Sequence, residues 1–355
     1  MPQNQFLLYG ANGYTGELIA RFAADFFLEP ILAGRRKDVL VPLAMRLGLH
    51  YKVFALNDTE ALEDALRDVK VVVHCAGPFD LTAKPMIDAC MKTGAHYLDL
   101  NGDMDVFRML YSFDQAAKDA GIMVMSGAGF DVVPTDCMAL FLKNLLPSAT
   151  SLKIAFATPG GKLSHGTAMT TIQKLGEPGA VRKDGKITPV PIGHKGMRID
   201  FNQPKKLFVM SLPWGDVFTA YLTTGIPNIE SYTAVPAAVF GLLKFQVLFN
   251  WLLRTSVVRK LAKWKINRSP AGLNDTKRER STIVVWGEVK DDAGNVKRAR
   301  LFGPDAYTLT AYSSLIIVKK ILQGNFKTGY QTPAGAYGED LVMEVEGVSR
   351  EIVTD

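Results

Sequence analysis

Short apolar runs alternate with amphipathic stretches over the first 147 residues of the chain. The runs QFLLYG (5–10), EPILAGRR (29–36) and VKVVVHCAG (69–77) predict buried strands. Between them, GELIARFAADFF (16–27) and DTEALEDALRD (58–68) space their apolar residues as one face of a helix does. This alternation predicts a doubly wound parallel sheet with right-handed crossovers.

The same pattern continues to a sixth strand. VFRMLYSFDQAAKDAG (106–121) predicts one helix ending at Gly121, and IMVMSGAG (122–129) predicts the strand that follows it. Asp58 or Thr59 is the expected N-cap of the earlier helix 58–68. The first 147 residues therefore form one α/β domain in this prediction.

After residue 147 the pattern changes to a series of predicted strands with one helical interruption, which predicts an α+β domain over 148–304 built on a mainly antiparallel sheet and containing an apolar helix over 237–265. Its last part is a hairpin (281–303) whose turn is DDAGN. A final helical segment, 305–340, is expected to return to the first domain. The other predicted strands are SLKIAFATP (151–159), MRIDF (197–201), KLFVMSLP (206–213), VFTAYLTT (217–224) and SYTAV (231–235).

Composition excludes several protein classes. With 48% hydrophobic and 21% charged residues, the chain is typical of a soluble globular protein. Its three cysteines, Cys75, Cys90 and Cys137, have no metal-binding or disulfide-framework spacing, so no metal site is expected. The N-terminus has no basic region with a cleavage site, which argues against export and favours a cytoplasmic location.

A glycine-rich turn follows the first predicted strand. In FLLYGANGYTG (6–16), Gly10 permits a tight turn, Gly13 lets the backbone approach a pyrophosphate, and Gly16 lets the next helix pack closely. The amides at the start of that helix would face the phosphates. The alternative is a glycine-rich turn without a ligand, but the position at the head of a βαβ unit favours a dinucleotide.

The second strand ends in Arg35 and Arg36, where an NAD-binding protein would carry an acidic residue. Two guanidinium groups suit the 2′-phosphate of NADP, although a solvated basic turn is the alternative. After the fourth strand, Ala76, Gly77 and Pro78 form a loop poor in side chains, which suits the nicotinamide ribose. His74 is expected to face the interior.

Six motifs, in order along the chain, resemble the saccharopine dehydrogenase-like oxidoreductases, a family that includes the trans-acting enoyl reductases. They are YGANGYTG (9–16), AGPF (76–79), DACMKTGAHYLDLNGD (88–103), GAGFDVVPTD (127–136), SHGT (164–167) and GYQTPAGAYGED (329–340). Relatives often carry TGE where this chain has residues 101–103, and SGGT where it has residues 164–167.

The resemblance implies a Rossmann domain that binds NADP (1–147, completed by 305–340) and a C-terminal α+β domain (148–304), with the cofactor in the cleft between them. We expect the second domain to supply a substrate surface and a dimer face, and the protein to be a homodimer. The resemblance also extends the expected cofactor-binding set to Ala11, Asn12, Tyr14, Thr15 and Phe79.

A nicotinamide enzyme needs a proton donor or acceptor beside the cofactor. Tyr97 and Asp99 alternate with Leu98 and share one face of a strand, so they are the predicted catalytic pair. Four further side chains are predicted to line the substrate, and the alternative for the acids among them is helix capping or turn stabilisation. These four residues are Asp103, Asp131, Thr135 and His165.

An apolar stretch, VFGLLKFQVLFNWLL (239–253), lies within a predicted helix over 237–265 and precedes a basic segment. Residues 254–280 hold nine Lys and Arg against two acids, so their net charge of +7 accounts for the chain's +6. The stretch is too short and too polar to span a bilayer. Either it packs against the protein or a dimer mate, or it lies in a membrane interface. No nucleic-acid-binding motif accompanies the charge.

The sequence therefore predicts an NADP-dependent oxidoreductase that transfers a hydride to an enoyl or imine bond of a lipid-like or amino-acid-derived substrate. The alternative is a non-catalytic, redox-sensing regulatory protein that binds NADP. In either case the predicted location is cytoplasmic, with a peripheral membrane contact through 237–265 left open.

Overall fold

The computed structural model describes residues 4–158, 177–243 and 274–354, together with residues 251, 255, 258, 260 and 264. Contacts divide the chain into two units, Met1–Val133 with Ala306–Glu346, and Pro134–Asp305 with Gly347–Asp355. The helix before residue 147, which the sequence assigns to the first domain, belongs to the second unit. The last strand of the chain, for which no domain was predicted, also belongs to the second unit.

The first unit is built on a seven-stranded sheet with the order β15-β6-β5-β4-β1-β2-β3, and every pair is parallel. This confirms the predicted doubly wound sheet and its six strands. The seventh strand, β15, comes from the GYQ of the late motif and was not predicted. The bounds are β1 Gln5–Tyr9, β2 Glu29–Gly34, β3 Tyr51–Val53, β4 Val71–His74, β5 His96–Asp99, β6 Met123–Met125 and β15 Gly329–Gln331.

The helices of this unit begin and end largely where the sequence predicts. The Asp58 side chain caps its helix by accepting from the Ala61 amide at 3.1 Å. One prediction was wrong, because 106–121 forms two helices rather than one. The bounds are α1 Tyr14–Phe22, α2 Lys37–Leu47, α3 Thr59–Leu66, α4 Phe79–Thr93, α5 Met104–Tyr111, α6 Asp114–Asp119, α11 Ala306–Leu322 and α12 Pro333–Tyr337.

The break between α5 and α6 has a local cause. The Ser112 hydroxyl donates to the Met109 carbonyl at 2.6 Å, and the Ser112 amide also turns back toward α5. A serine that bonds its own helix backbone in this way competes with continuation of the helix. Helix α11 belongs to the first unit, and its Tyr307 and Tyr312 rings meet Tyr14 and Phe22 of α1 edge to face.

The second unit contains a nine-stranded sheet within the described residues, and it is mainly antiparallel, as predicted. Its main path is β10-β11-β12-β7-β13-β14-β16, with β8 joining β12 to β9, and only β7 and β12 pair in parallel. The bounds are β7 Ser151–Ala157, β8 Gly179–Lys183, β9 Lys186–Val190, β10 Gly196–Ile199, β11 Leu207–Ser211, β12 Asn228–Ala234, β13 Thr282–Lys290, β14 Val296–Pro304 and β16 Ser349–Val353.

The prediction of a strand in VFTAYLTT (217–224) was wrong. These residues form helix α8, Asp216–Thr224, which ends at Gly225 with a φ of 68°. A short run of β-branched and aromatic residues fits a buried helix as well as a strand, and burial of Val217, Phe218 and Ala220 in the tertiary fold decides the outcome. The other described helices of the unit are α7 Val133–Leu145, α9 Ala237–Leu243 and α10 Asp275–Glu279.

Most of the predicted helix 237–265 and of the basic segment after it lies outside the described residues. Of that stretch, α9 and isolated positions are described, among them Trp251 and Trp264, whose side chains are exposed. None of the helices that the structure describes is long and apolar enough to cross a membrane.

Candidate nucleotide-binding site

The turn after β1 has no room for side chains at two of its glycines. Gly10 has a φ of +84°, and a Cβ there would lie 2.8 Å from the Ala76 backbone nitrogen. A Cβ on Gly16 would lie 2.5 Å from the Gly10 carbonyl oxygen. Both distances are well below van der Waals contact, so only glycine fits at these positions. The turn is therefore pressed against the loop that follows β4.

Helix α1 begins directly after this turn with no side chain covering its N-terminus. Gly13 is exposed and occupies the N-cap, where no side chain accepts from the first-turn amides. Within the turn, the Gly13 amide donates to the Gly10 carbonyl at 3.0 Å. An uncapped helix N-terminus carries partial positive charge and is suited to bind an anion.

The remaining residues of the motif lie around the turn. Ala11 is buried, Thr15 is half-buried, and Tyr14 meets Tyr307 at 4.7 Å between ring centroids. The Asn12 side-chain oxygen lies 3.1 Å from where a Cβ on Gly34 would stand, at the end of β2. The motif thus reaches from the end of β1 to the end of β2.

Arg35 and Arg36 follow β2 and are both exposed. Neither forms an ion pair with any residue that the structure describes. Burial raises the pKa of the Tyr9 phenol, and the positive charge of Arg35 partly opposes this effect. The two guanidinium groups are therefore available to an anionic ligand at the end of β2.

The loop after β4 contains Ala76, Gly77 and Pro78, and Phe79 is the first residue of α4. Gly77 and Pro78 are exposed. His74 precedes the loop and is fully buried, which confirms the prediction that it faces the interior. Burial lowers the pKa of His74 to about 3, so its imidazole is neutral.

Tyr97 and Asp99 share one face of β5, but that face lies in the interior. Both residues are fully buried. The Tyr97 hydroxyl donates to Asp99 Oδ2 at 2.8 Å, while Oδ1 accepts from the Ser126 hydroxyl at 2.7 Å and from the Gly127 amide at 3.0 Å. This arrangement joins the end of β5 to the end of β6. In this arrangement neither side chain is exposed to solvent.

Asp131 lies beyond the end of β6 and has a different environment. It is half-buried and forms no hydrogen bond or ion pair within the described part of the chain. Its Oδ2 lies 2.8 Å from where a Cβ on Gly102 would stand, beyond the end of β5. Burial raises the pKa of its carboxyl group to about 6. This carboxyl group can therefore bind and release a proton near neutral pH.

Hydroxyl groups of α11 hold the backbone that leads to Asp131. Ser313 and Ser314 both donate to the Ala128 carbonyl at 3.0 Å, and the Phe130 amide donates to Thr310 Oγ1 at 3.0 Å. Sequence reasoning did not identify these three residues. The sequence feature that could have identified them is a cluster of hydroxyl residues within an otherwise apolar helix. All three side chains are buried in the structure.

The other predicted substrate-lining residues are placed differently. Asp103 caps α5 by accepting from the Asp105 amide at 2.9 Å, which is the alternative that the sequence left open. Thr135 is buried on α7, and its hydroxyl donates to Asp216 Oδ1 at 2.5 Å within the second unit. His165 lies outside the described residues. In the part of the chain that is described, no cluster of His, Cys, Asp or Glu could hold a metal ion.

Residues 6–125 match the saccharopine dehydrogenase NADP binding domain family. The resemblance carried by the motifs is confirmed. The "Saccharopine dehydrogenase-like oxidoreductase" of Bos taurus is 24% identical over 214 residues, which cover 52% of this chain and 50% of that protein. The chain thus matches about half the length of this relative.

Two further relatives differ in coverage. A "Probable mitochondrial saccharopine dehydrogenase-like oxidoreductase" of Arabidopsis thaliana is 22% identical and aligns with 99% of this chain and 97% of its own length. A "Trans-acting enoyl reductase" of Mycobacterium bovis is 31% identical over 138 residues, 37% of this chain and 33% of that protein. Both relatives are named as enzymes that carry out oxidation or reduction, and the two names refer to different substrates.

Among solved structures, the apo saccharopine dehydrogenase (L-Glu forming) of Saccharomyces cerevisiae has a TM-score of 0.68 with 15% sequence identity. The alignment covers 99% of this chain and all of that one. At this identity the match establishes a shared fold: an N-terminal parallel sheet followed by a second unit on a mixed sheet.

Proposed function

We propose that this protein is an oxidoreductase that uses NADP to reduce an enoyl or imine bond. The observation that supports it best is the combination of the bare turn at Gly10 and Gly16 with the uncapped N-terminus of α1. A pyrophosphate suits this turn, because Gly10 and Gly16 let the turn pack against the Ala76 backbone and against its own first carbonyl, and no side chain caps the first-turn amides of α1.

The preference for NADP over NAD rests on Arg35 and Arg36. Both are exposed at the end of β2, the position from which doubly wound folds contact the adenine ribose. Planar guanidinium groups bind a phosphate through paired hydrogen bonds, and neither arginine has an anionic partner among the described residues. The Ala76–Phe79 loop would face the nicotinamide ribose.

When bound, the cofactor supplies a hydride, and the protein must provide the accompanying proton. We assign the proton to Asp131, because its carboxyl group has a pKa near neutrality and no hydrogen-bond partner in the described residues. It lies beyond the end of β6, in the same parallel sheet as the glycine turn beyond β1. The names of the relatives support substrates that are lipid-like or derived from amino acids.

The cofactor proposal is tested by titrating NADPH and NADH with the wild-type protein and with Arg35→Ala/Arg36→Ala. Charge-assisted hydrogen bonds contribute about 1.5–3 kcal/mol, so NADPH affinity should fall tenfold or more. NADH affinity should change little. Arg67→Ala is the matched control, since Arg67 is an exposed arginine that pairs with Asp64 on α3.

Equal affinity of the double variant and the wild type for NADPH would refute the assignment of the 2′-phosphate. A substrate panel of enoyl thioesters and imines then separates an enzyme from a redox sensor. NADPH oxidation that disappears in Asp131→Asn supports the enzyme. Tight NADPH binding without turnover of any member of the panel supports the non-catalytic alternative.

A further inference from the structure

One side chain braces the loop after β4 from inside the fold. Thr82, in the first turn of α4, is half-buried, and its hydroxyl donates to the Ala76 carbonyl at 2.7 Å. The same hydroxyl lies 3.1 Å from the Pro78 carbonyl. The two carbonyls flank the exposed Gly77, so a single hydroxyl fixes both ends of the bare part of the loop.

The hydroxyl is itself held by a buried histidine. His74 Nε2 lies 3.0 Å from Thr82 Oγ1. Because the only proton of Thr82 is directed at the carbonyls, its oxygen must accept from the imidazole, which places the imidazole proton on Nε2. Nδ1 is then unprotonated, and it is buried with no hydrogen-bond partner among the residues that the structure describes. Burial keeps the pKa of His74 at about 3, so this arrangement is the same throughout the neutral range.

Aromatic rings fix the imidazole in turn. His74 contacts Tyr9, Phe79 and Tyr97 with ring centroids 5.7, 5.4 and 6.2 Å apart. On the other side of the loop, the Cys75 amide donates to the Tyr9 carbonyl at 2.8 Å, and Ala76 touches Gly10. The loop is thus held between the glycine turn and the His74 side chain.

We propose that Thr82 and His74 are a positioning pair that sets the Ala76–Phe79 loop for the nicotinamide half of the cofactor. The proposal rests on the proposed function. The two halves of the cofactor would then depend on different residues. The turn at Gly10 and the arginines after β2 would bind the adenine and phosphate half, and Thr82 and His74 would affect only the binding of the nicotinamide half.

The experiment compares NADPH with 2′,5′-ADP, which lacks the nicotinamide half. In Thr82→Val, which keeps the shape and removes the hydroxyl, NADPH affinity should fall about fivefold to tenfold, as expected for one or two lost hydrogen bonds. The affinity for 2′,5′-ADP should stay within twofold of wild type. The change in NADPH fluorescence on binding should also shrink, because it reports the surroundings of the nicotinamide.

Two variants control for a purely structural effect. Thr82→Ser keeps the hydroxyl and should restore both NADPH affinity and the fluorescence change. Thr93→Val removes a hydroxyl from the same helix, where it donates to the Ala89 carbonyl at 2.9 Å, far along α4 from the loop. It should leave both ligands unaffected.

The outcomes separate the binding of NADP by the protein from the positioning role of Thr82 and His74. If the wild-type protein binds neither ligand, the proposed function fails. If the wild type binds both ligands and Thr82→Val weakens both equally, or weakens neither, the positioning pair is refuted while the cofactor assignment stands. Failure of Thr82→Ser to restore binding would also refute the role of the hydroxyl.

Discussion

Replacing Asp131 with Asn should stabilise the protein, and the gain should increase with pH. Burial raises the pKa of this carboxyl group from 3.8 to about 6 in the folded state. The folded protein therefore binds the proton more tightly than the unfolded chain does. The stabilising contribution of that proton is complete below pH 3.8 and is lost as the pH rises through 6.

The magnitude follows from the two pKa values. One pKa unit corresponds to about 1.4 kcal/mol, so above pH 7 the ionised Asp131 destabilises the fold by about 3 kcal/mol relative to low pH. Between pH 5 and pH 7.5 the difference in unfolding free energy between Asp131→Asn and wild type should grow by about 1.4 kcal/mol. The pH dependence of this free-energy difference reports on Asp131 alone, because the contributions of the other titrating groups are the same in both proteins and cancel.

Urea unfolding at the two pH values measures the difference, and carbon NMR of the Asp131 carboxyl group measures its titration midpoint directly. Asp103→Asn is the matched control, because Asn caps a helix as Asp does and Asp103 lies beyond the end of the neighbouring strand. A difference that stays constant with pH, a similar growth in the control, or a midpoint near 4 would each refute the assignment of Asp131 as the proton carrier.

Two further predictions concern the turn after β1 and the basic segment. Gly10→Ala should destabilise the fold by about 2 kcal/mol or more, because the alanine must adopt a positive φ and its Cβ also meets the Ala76 backbone. Gly48→Ala should cost about 1 kcal/mol, because residue 48 has a positive φ but open space around it. Thermal unfolding compares the two, and equal losses would contradict the close approach. Flotation with anionic vesicles separates the two alternatives for the stretch 239–280: the interfacial one predicts binding at low salt and release at high salt, and the packing one predicts no flotation at either salt concentration.

The parallel sheet was predictable because its signals are local. Each strand of the first unit is a run of apolar residues, and caps such as Asp58 and Gly94 mark the ends of its helices. The strand β15 was missed because Gly329–Gln331 is too short to show a period and is defined only by its pairing with β6. Helix α8 was misassigned for a related reason, since a run of eight apolar and β-branched residues fits either structure until its packing is known.

Alternation along β5 does not show whether Tyr97 and Asp99 are accessible to a substrate. A period of two shows that Tyr97 and Asp99 share a face of β5, but a parallel sheet in this type of fold is covered on both faces. Neither face is therefore exposed in the middle of the sheet, and a polar side chain there must be satisfied internally. The network around Asp99, which accepts from Ser126 and Gly127, meets this requirement.

The backbone and side-chain groups that remain available to a ligand lie beyond the strand ends. Gly10, Arg35 and Ala76 follow β1, β2 and β4, and Asp131 follows β6, in a sheet whose described strands all run in the same direction. Burial of the Asp131 carboxyl group is enough to raise its pKa to about 6, yet this group is not used by the hydrogen bonds that stabilise the sheet. Asp99 is buried, but its carboxyl oxygens already accept hydrogen bonds from Tyr97, Ser126 and Gly127. The Asp131 carboxyl group is partly buried and accepts no hydrogen bond from the described residues. We therefore assign the proton to Asp131 in the loop rather than to Asp99 in the strand.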